Sequence, residues 1–212
     1  MDDLGKRVQA QLQFMERNGR ALEELIAKML RMREEQEGFL HGFAKALQDI
    51  GAQEDSKELA QCLLSLGDCG QRLASETHDV MLQRPEGEML LTLTQIQDWG
   101  IVPMKRLLED REKALKIEYK LQKEYDEKRG GSGKEKEKKL RMLSDQKRRV
   151  ENVNALIDYH LSKFEEFRIL KMKKIMNELA RSNMFYHAKG LELYSVPCAA
   201  IAKLHARDVS EV

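Results

Sequence analysis

The chain has 212 residues, of which 34% are charged and only 6% aromatic, with three prolines. This composition is typical of long helices and coiled coils, and no segment shows strand-like alternation, so we predict an all-α fold. No apolar run approaches the roughly 18–20 residues of a transmembrane helix. The acidic start Met1-Asp2-Asp3-Leu4 lacks the apolar region of a signal peptide, so any membrane contact is expected to be peripheral.

Charge is distributed unevenly, although the formal net charge is only +1. Residues 1–101 carry 11 basic and 18 acidic side chains, whereas residues 102–150 carry 17 basic and 10 acidic ones. The excess of positive charge in the middle of the chain predicts an anionic partner. The three cysteines are an odd number without metal-ligand spacing, which favours reduced thiols in a cytoplasmic protein.

The first predicted helix covers about residues 3–50. Its apolar residues follow steps of three and four, with Gln36 filling one gap, and this heptad pattern indicates a helix that packs lengthwise against another helix. These residues are Leu25, Met29, Met32, Phe39, Phe43, Leu47 and Ile50. Gly51 is expected to end the helix, and Asp55 with Glu58 is expected to form a capping box for the next one.

The second predicted helix covers about residues 57–129 and is less regular. Gly67 and Gly70 punctuate it, and proline in a helical pattern removes a hydrogen-bond donor and crowds the preceding turn. We therefore predict bends near residue 85 and at residues 100–103. A true loop over residues 84–88 is the open alternative.

A Gly-Gly-Ser-Gly sequence at residues 130–133 predicts a tight antiparallel turn, which is either native or a flexible linker inserted in place of a longer loop. The third predicted helix covers about residues 134–206, and Ser132 with Glu135 is expected to cap it. At 1.5 Å per residue this helix is about 100 Å long. A single chain cannot bury three such helices in one compact core, so we predict a homodimer.

Three segments of the chain resemble BAR domains. The sequence Phe43-Ala44-Lys45-Ala46-Leu47, followed by Ile50-Gly51 and Glu54-Asp55, is similar to the end of the first helix in sorting-nexin BAR modules. Residues 164–175 are similar to the third helix of many BAR domains. Residues 184–192 resemble the end of the third helix in the Chibby-interacting BAR family. The resemblance in helix order covers nearly all of residues 1–212, which predicts a single BAR-like domain.

This resemblance implies an antiparallel, crescent-shaped coiled-coil homodimer that senses or scaffolds curved anionic membranes in trafficking. It also implies a cytoplasmic protein that binds membranes peripherally. Some BAR proteins insert a basic amphipathic helix that precedes the first long helix. Asp2 and Asp3 argue against such a helix here, which leaves binding by charge.

The basic residues near the turn and in the middle of the third helix are the expected lipid contacts, because each Lys or Arg near an anionic surface contributes about 1 kcal/mol. The predicted membrane-binding residues are Lys116, Lys120, Lys123, Lys128, Arg129, Lys134, Lys136, Lys138, Lys139, Lys147, Arg148, Arg149, Lys171, Lys173 and Lys174. For any single lysine, a solvated surface position with an ion pair such as Glu109–Lys113 or Glu112–Lys116 is the alternative.

The sequence shows no pattern of an enzyme, a cofactor site or a metal site. Nucleic acid is not expected as a partner, because stacking aromatics are scarce among the basic residues and acidic residues interrupt them. Trp99, beside the Gly100–Pro103 bend, is expected to be buried against a neighbouring helix, and a membrane anchor is the alternative. The alternative function is a coiled-coil scaffold that docks a protein, such as a small GTPase, without binding lipid.

Overall fold

The computed structural model describes residues 3–127 and 133–204, and its regular elements are all helical. Three π-helical segments, Asp79–Gln83, Glu86–Leu90 and Gln97–Ile101, join the helices of the middle region. The α-helices are α1 (Asp3–Gly51), α2 (Lys57–His78), α3 (Leu91–Ile96), α4 (Val102–Glu127) and α5 (Gly133–Ile201). The predicted all-α fold with three long helical stretches is confirmed. Residues 130–132 of the predicted turn, Ser132 of its proposed cap, and residues 205 and 206 lie outside the described residues.

The start of α2 is capped by Ser56 rather than by Asp55. The Ser56 backbone is extended, and its Oγ accepts the Leu59 backbone N–H over 3.5 Å. Its own N–H donates to Glu54 Oε1 over 3.0 Å. The predicted capping box was therefore placed one residue too early, because Asp55 and Ser56 are both good N-cap residues and the extended conformation falls on Ser56.

The middle region stays helical where glycine and proline predicted interruptions. Residues 84–88 form no loop, and Pro85 has helical dihedral angles of φ −59° and ψ −39°. Two π-helical segments flank Pro85, and the third ends within the predicted bend at residues 100–103. Their i→i+5 hydrogen bonds accommodate an extra residue in the helix. Gly67 lies inside α2, where a Cβ atom would come within 2.9 Å of the Ala44 carbonyl oxygen on α1. This glycine thus permits close helix packing and does not mark a break.

The chain folds into two compact units. One comprises Met1–Ala21 and Leu93–Lys173, and the other comprises Leu22–Thr92 and Lys174–Val212. In the first unit, called unit A, the buried residues of α5 are spaced by seven, as in a coiled coil: Leu143, Val150, Ile157 and Phe164. Polar contacts supplement this core, since Arg111 donates to Asn154 over 2.6 Å and Gln146 donates to the Ala114 carbonyl over 2.8 Å.

In the second unit, called unit B, two backbone carbonyls lie four residues before a proline, which has no N–H to donate to them. In each case a side chain from another helix donates a hydrogen bond to the carbonyl instead. An α-helical bond to the Met81 carbonyl would come from residue 85, which is proline, and Arg33 of α1 donates to that oxygen over 2.9 Å. Likewise, the Leu193 carbonyl lies four residues before Pro197 and accepts the Cys69 thiol over 3.1 Å. Burial raises the pKa of the Cys69 thiol, which favours the protonated donor.

Candidate functional site

The end of α4 presents three of the predicted basic residues to solvent. Lys116, Lys120 and Lys123 are all exposed. Lys123 lies 3.7 Å from Glu127, whereas Lys116 and Lys120 have no ion pair with any described residue. Lys128 and Arg129 lie outside the described residues.

The predicted lysines at the beginning of α5 differ in exposure: three are exposed, and one is largely covered. Lys134, Lys136 and Lys138 are exposed, and the Lys136 ammonium lies 5.9 Å from the centre of the Tyr125 ring. Lys139 is different, because its side chain is only 18% exposed and its ammonium pairs with Glu124 of α4 over 3.3 Å. Lys139 therefore joins α4 to α5 and is a poor candidate for a lipid contact.

The three consecutive residues Lys147, Arg148 and Arg149 are exposed and have no ion pair within the described ranges. Successive residues of an α-helix are about 100° apart, so these three side chains span about 200° of α5. Their neighbours Gln146 and Val150 are buried, which directs Arg148 away from α4. The three residues cannot meet one flat surface together.

The predicted patch near residue 171 is also divided. In unit A, Lys171 is partly buried and donates to Gln95 over 2.5 Å, while Lys173 is exposed and unpaired among the described residues. In unit B, Lys174 pairs with Glu88, and this hydrogen bond lowers the pKa of the Glu88 carboxyl. Of these three lysines, Lys173 is the one whose ammonium is fully available.

The ion pairs expected to neutralise α4 differ from those observed. Lys113 pairs with Asp110 over 3.4 Å rather than with Glu109, and no described acid pairs with Lys116. Exposed lysines without an ion pair to a described residue are therefore present where α4 ends and where α5 begins. We call the unpaired lysines there, Lys116, Lys120, Lys134 and Lys138, the hairpin lysines.

Trp99 is not buried, which makes that prediction wrong. Its side chain is 67% exposed, and the Lys171 ammonium lies 5.9 Å from the ring centre. Trp99 borders a groove of about 430 Å³ in unit A that Leu107, His160 and Phe167 also line. The charge pattern of the sequence does not indicate this groove. A usable signal is the spacing of seven residues that leads from Trp99 to Arg106, Lys113 and Lys120 of α4.

Unit B exposes the heptad seam that was predicted on α1. Leu25, Met32, Phe39 and Ile50 are more than half exposed, and the Phe39 and Phe43 rings stack with their centres 5.8 Å apart. Between Met32 and Phe39, the side chain of Gln36 donates a hydrogen bond to the Tyr186 hydroxyl of α5 over 2.7 Å, so this part of the seam lies beside α5. Exposed apolar residues of α5 in unit B include Met176, Met184 and Leu191. An apolar surface of this kind is typical of a protein interface.

Candidate membrane spans and candidate metal sites are both absent from the described residues. None of the helices within the described ranges combines the length and the low charge that a membrane span requires. The same residues contain no cluster of His, Cys, Asp and Glu side chains that is suited to a metal ion.

Comparisons with known proteins give a structural likeness. Neither a family model nor a curated protein matches the sequence. Among solved structures, the N-terminal I-BAR domain (residues 1–259) of IBARa from D. discoideum is similar, with a TM-score of 0.59 and 13% sequence identity. The alignment covers 96% of this chain and 91% of that one. The fold of this chain is therefore BAR-like.

Proposed function

We propose that this protein is a non-enzymatic module that forms a homodimer and binds curved anionic membranes peripherally, from the cytoplasmic side. The observation that carries the proposal is the group of hairpin lysines, which are exposed and lack ion pairs among the described residues. A BAR-like fold supports it, because that fold class consists of membrane-curvature and scaffold modules.

Dimerisation is the first step of the proposal. The exposed side chains of Leu25, Met32, Phe39 and Phe43 on α1 of unit B form an apolar surface that a single chain leaves in water. Burial of apolar area contributes roughly 25 cal/mol per Å², so covering this seam with a second copy is favourable. The heptad spacing suits a helical partner.

Charge attraction is the second step. The hairpin lysines would each contribute about 1 kcal/mol near an anionic surface, before screening by salt. A dimer doubles their number and links the two binding events, so that weak single contacts become effective together. A monomer with the same lysines would bind feebly.

Co-sedimentation with vesicles of several diameters, made from equal parts of phosphatidylcholine and phosphatidylserine, tests the proposal. We expect sedimentation at low salt, little with pure phosphatidylcholine, and at least about tenfold weaker binding after Lys134→Glu with Lys138→Glu. The matched control is Lys45→Glu with Lys57→Glu, which makes the same charge change at exposed positions of unit B. This control should bind like the unmodified protein.

Two results would contradict the proposal in different ways. If the unmodified protein fails to sediment at low salt, the membrane function is wrong, and a scaffold that docks a protein partner replaces it. If sedimentation survives the reversal of Lys134 and Lys138, the hairpin lysines are not the contacts.

A further inference from the structure

Exposed residues of unit A repeat at a spacing of seven from the π-helical segment Gln97–Ile101 into α4, beginning with the single tryptophan of the chain. They are Trp99, Arg106, Lys113 and Lys120, and all four are exposed. A spacing of seven returns to nearly the same side of a helix, so one side of this stretch carries an indole followed by three cations.

A complementary run lies on α5. Met142, Arg149, Leu156, Lys163 and Leu170 are also spaced by seven and exposed, and they alternate apolar with basic side chains. At 1.5 Å per residue this run extends about 40 Å along the helix. A long alternation of this kind is unusual for a merely solvated surface, where charged residues of both signs predominate.

The groove beside Trp99 joins the two runs. Trp99 of the segment that precedes α4 and Arg106 of α4 itself line it together with Lys163 and Phe167 of α5, so the two runs meet on one side of unit A at this groove. The Lys171 ammonium stands at its edge, 5.9 Å from the centre of the Trp99 ring and 5.3 Å from that of Phe167. We call the two runs, with Phe167 and Lys171, the Trp99 face.

We propose that the Trp99 face is the part of unit A that lies against the anionic bilayer, with the indole at the depth of the lipid headgroups. This inference rests on the proposed membrane function and identifies the surface that performs it. Tryptophan has an apolar body and a polar N–H and is enriched at membrane–water interfaces. Lysine and arginine beside it can lay their aliphatic stems on apolar groups while their charges reach lipid phosphates.

The charges of the Trp99 face are suited to such a contact. Lys113 and Lys163 pair with Asp110 and Glu166 on their own helices, over 3.4 Å and 3.0 Å. Exposed pairs of this kind contribute little to stability, so these lysines can exchange the carboxylates for phosphates at low cost. Arg106 and Arg149 are exposed and have no ion pair with a described residue.

An acidic peptide seated in the groove is the competing occupant, and the extent of the surface argues against it. The groove occupies only the part of the face around Trp99, Arg106 and Phe167. The exposed positions Met142 and Arg149 continue the same pattern well beyond it. A bilayer covers both regions at once, whereas a peptide held in the groove leaves the remainder unused.

Because Trp99 is the only tryptophan, its fluorescence reports directly on this face. We would titrate the full chain with vesicles of equal parts phosphatidylcholine and phosphatidylserine, and measure sedimentation in parallel. We expect the emission to shift to shorter wavelength on binding, and lipids with brominated chains to quench it. We also expect Trp99→Ala to weaken sedimentation about tenfold, Trp99→Phe to retain most binding, and Tyr119→Ala to change nothing. Tyr119 is a 75% exposed aromatic residue of α4 outside the Trp99 face.

The outcomes separate this inference from the function on which it rests. If the protein sediments with vesicles but the Trp99 emission does not change, the Trp99 face does not lie against the bilayer, although the proposed membrane binding stands. Absence of sedimentation overturns both. An emission shift with a poly-glutamate peptide but not with vesicles assigns the groove to a protein partner and also overturns the inference. Circular dichroism of Trp99→Ala should match that of the unmodified chain, and Trp99→Phe provides the test if it does not.

Discussion

At Gly100 of unit A, an added Cβ atom would approach a neighbouring side chain very closely. A Cβ atom there would overlap Cε2 of the Phe164 ring and lie 2.5 Å from its Cδ2, and this ring is buried. We expect Gly100→Ala to destabilise the fold by about 1–3 kcal/mol, because the Gln97–Ile101 segment and α5 must separate or the ring must leave its rotamer. Urea unfolding at fixed protein concentration measures the change.

Gly87 is the matched control for this substitution. It also lies in a π-helical segment, but no atom lies within 4 Å of a Cβ placed there. Gly87→Ala should stabilise the protein by about 0.5–1 kcal/mol, since alanine loses less backbone freedom on folding. Equal effects at the two positions would show that the contact with Phe164 is not what constrains Gly100.

Arg33 is a buried cation whose hydrogen-bond partners among the described residues are all neutral. Besides the Met81 carbonyl, it donates to Ser182 Oγ over 3.1 Å and to Asn183 Oδ1 over 2.7 Å. Burial lowers the pKa of this guanidinium. A charge is costly to bury, so its position is best explained by the donors that it supplies.

We expect Arg33→Met to destabilise the fold by about 1–3 kcal/mol, because it leaves buried acceptors unpaired. Pro85→Ala restores a backbone N–H that can reach Met81. In that background the cost of Arg33→Met should fall by about 1 kcal/mol, which a double-mutant cycle in urea measures. An equal cost with and without the proline would show that Arg33 does not compensate for it.

At the scale of whole helices, the sequence predicted the long helices, because their periodic apolar residues are a local signal. The heptads of α1 and α5 are local signals, and the long helices follow them closely. Pro85 and Gly67 misled because the compensating groups, Arg33 and the Ala44 backbone, come from another helix. Such contacts between distant residues leave no periodic trace in the sequence.

The candidate site was predictable to the same degree. Charge counts predicted a basic surface in the middle of the chain, and most of the described lysines there are exposed, as lysines usually are. Which lysines are free depends on neighbours from another helix, as Lys139 with Glu124 and Lys174 with Glu88 show. Trp99 was assigned to a core by residue type alone, although the side of the helix on which it lies is exposed.

The ion pair between α1 and α4 makes unit A sensitive to acid. Lys105 donates to Glu16 over 2.6 Å, and this hydrogen bond is the main reason why the pKa of Glu16 lies below its usual value of 4.5. A lowered carboxyl pKa in the folded state adds stability above the unfolded pKa, and that stability is lost as the pH falls through the folded value. The loss therefore falls below about pH 4.5.

Glu16→Gln should remove this contribution, which we expect to be about 0.5 kcal/mol because Lys105 is partly exposed. The variant should be less stable than the unmodified chain at pH 7 and should lose less stability between pH 5 and pH 3. Urea unfolding across that range measures both changes. Glu24→Gln, at an exposed position of α1 without an ion pair to a described residue, should leave the pH dependence unaltered. A parallel loss in the Glu16 and Glu24 variants would contradict the role of the pair.

At the scale of the whole molecule, the membrane proposal depends on self-association, and the α1 seam of unit B offers the most direct way to remove it. Phe39 is 67% exposed in the single chain, so Phe39→Glu should leave the fold of each chain nearly unchanged. In a dimer the same carboxylate would be buried opposite apolar residues, at a cost of several kcal/mol.

We therefore expect light scattering at micromolar concentration to give a dimer mass for the unmodified chain and a monomer mass for Phe39→Glu, with equal helix content by circular dichroism. Tyr119→Glu, which introduces the same charge at an exposed aromatic position of unit A, should remain dimeric. The monomeric variant should also lose sedimentation with vesicles although it keeps every lysine, because valency falls by half. A Phe39→Glu chain that remains dimeric would place the interface elsewhere, and a monomeric one that still sediments would separate lipid binding from dimerisation.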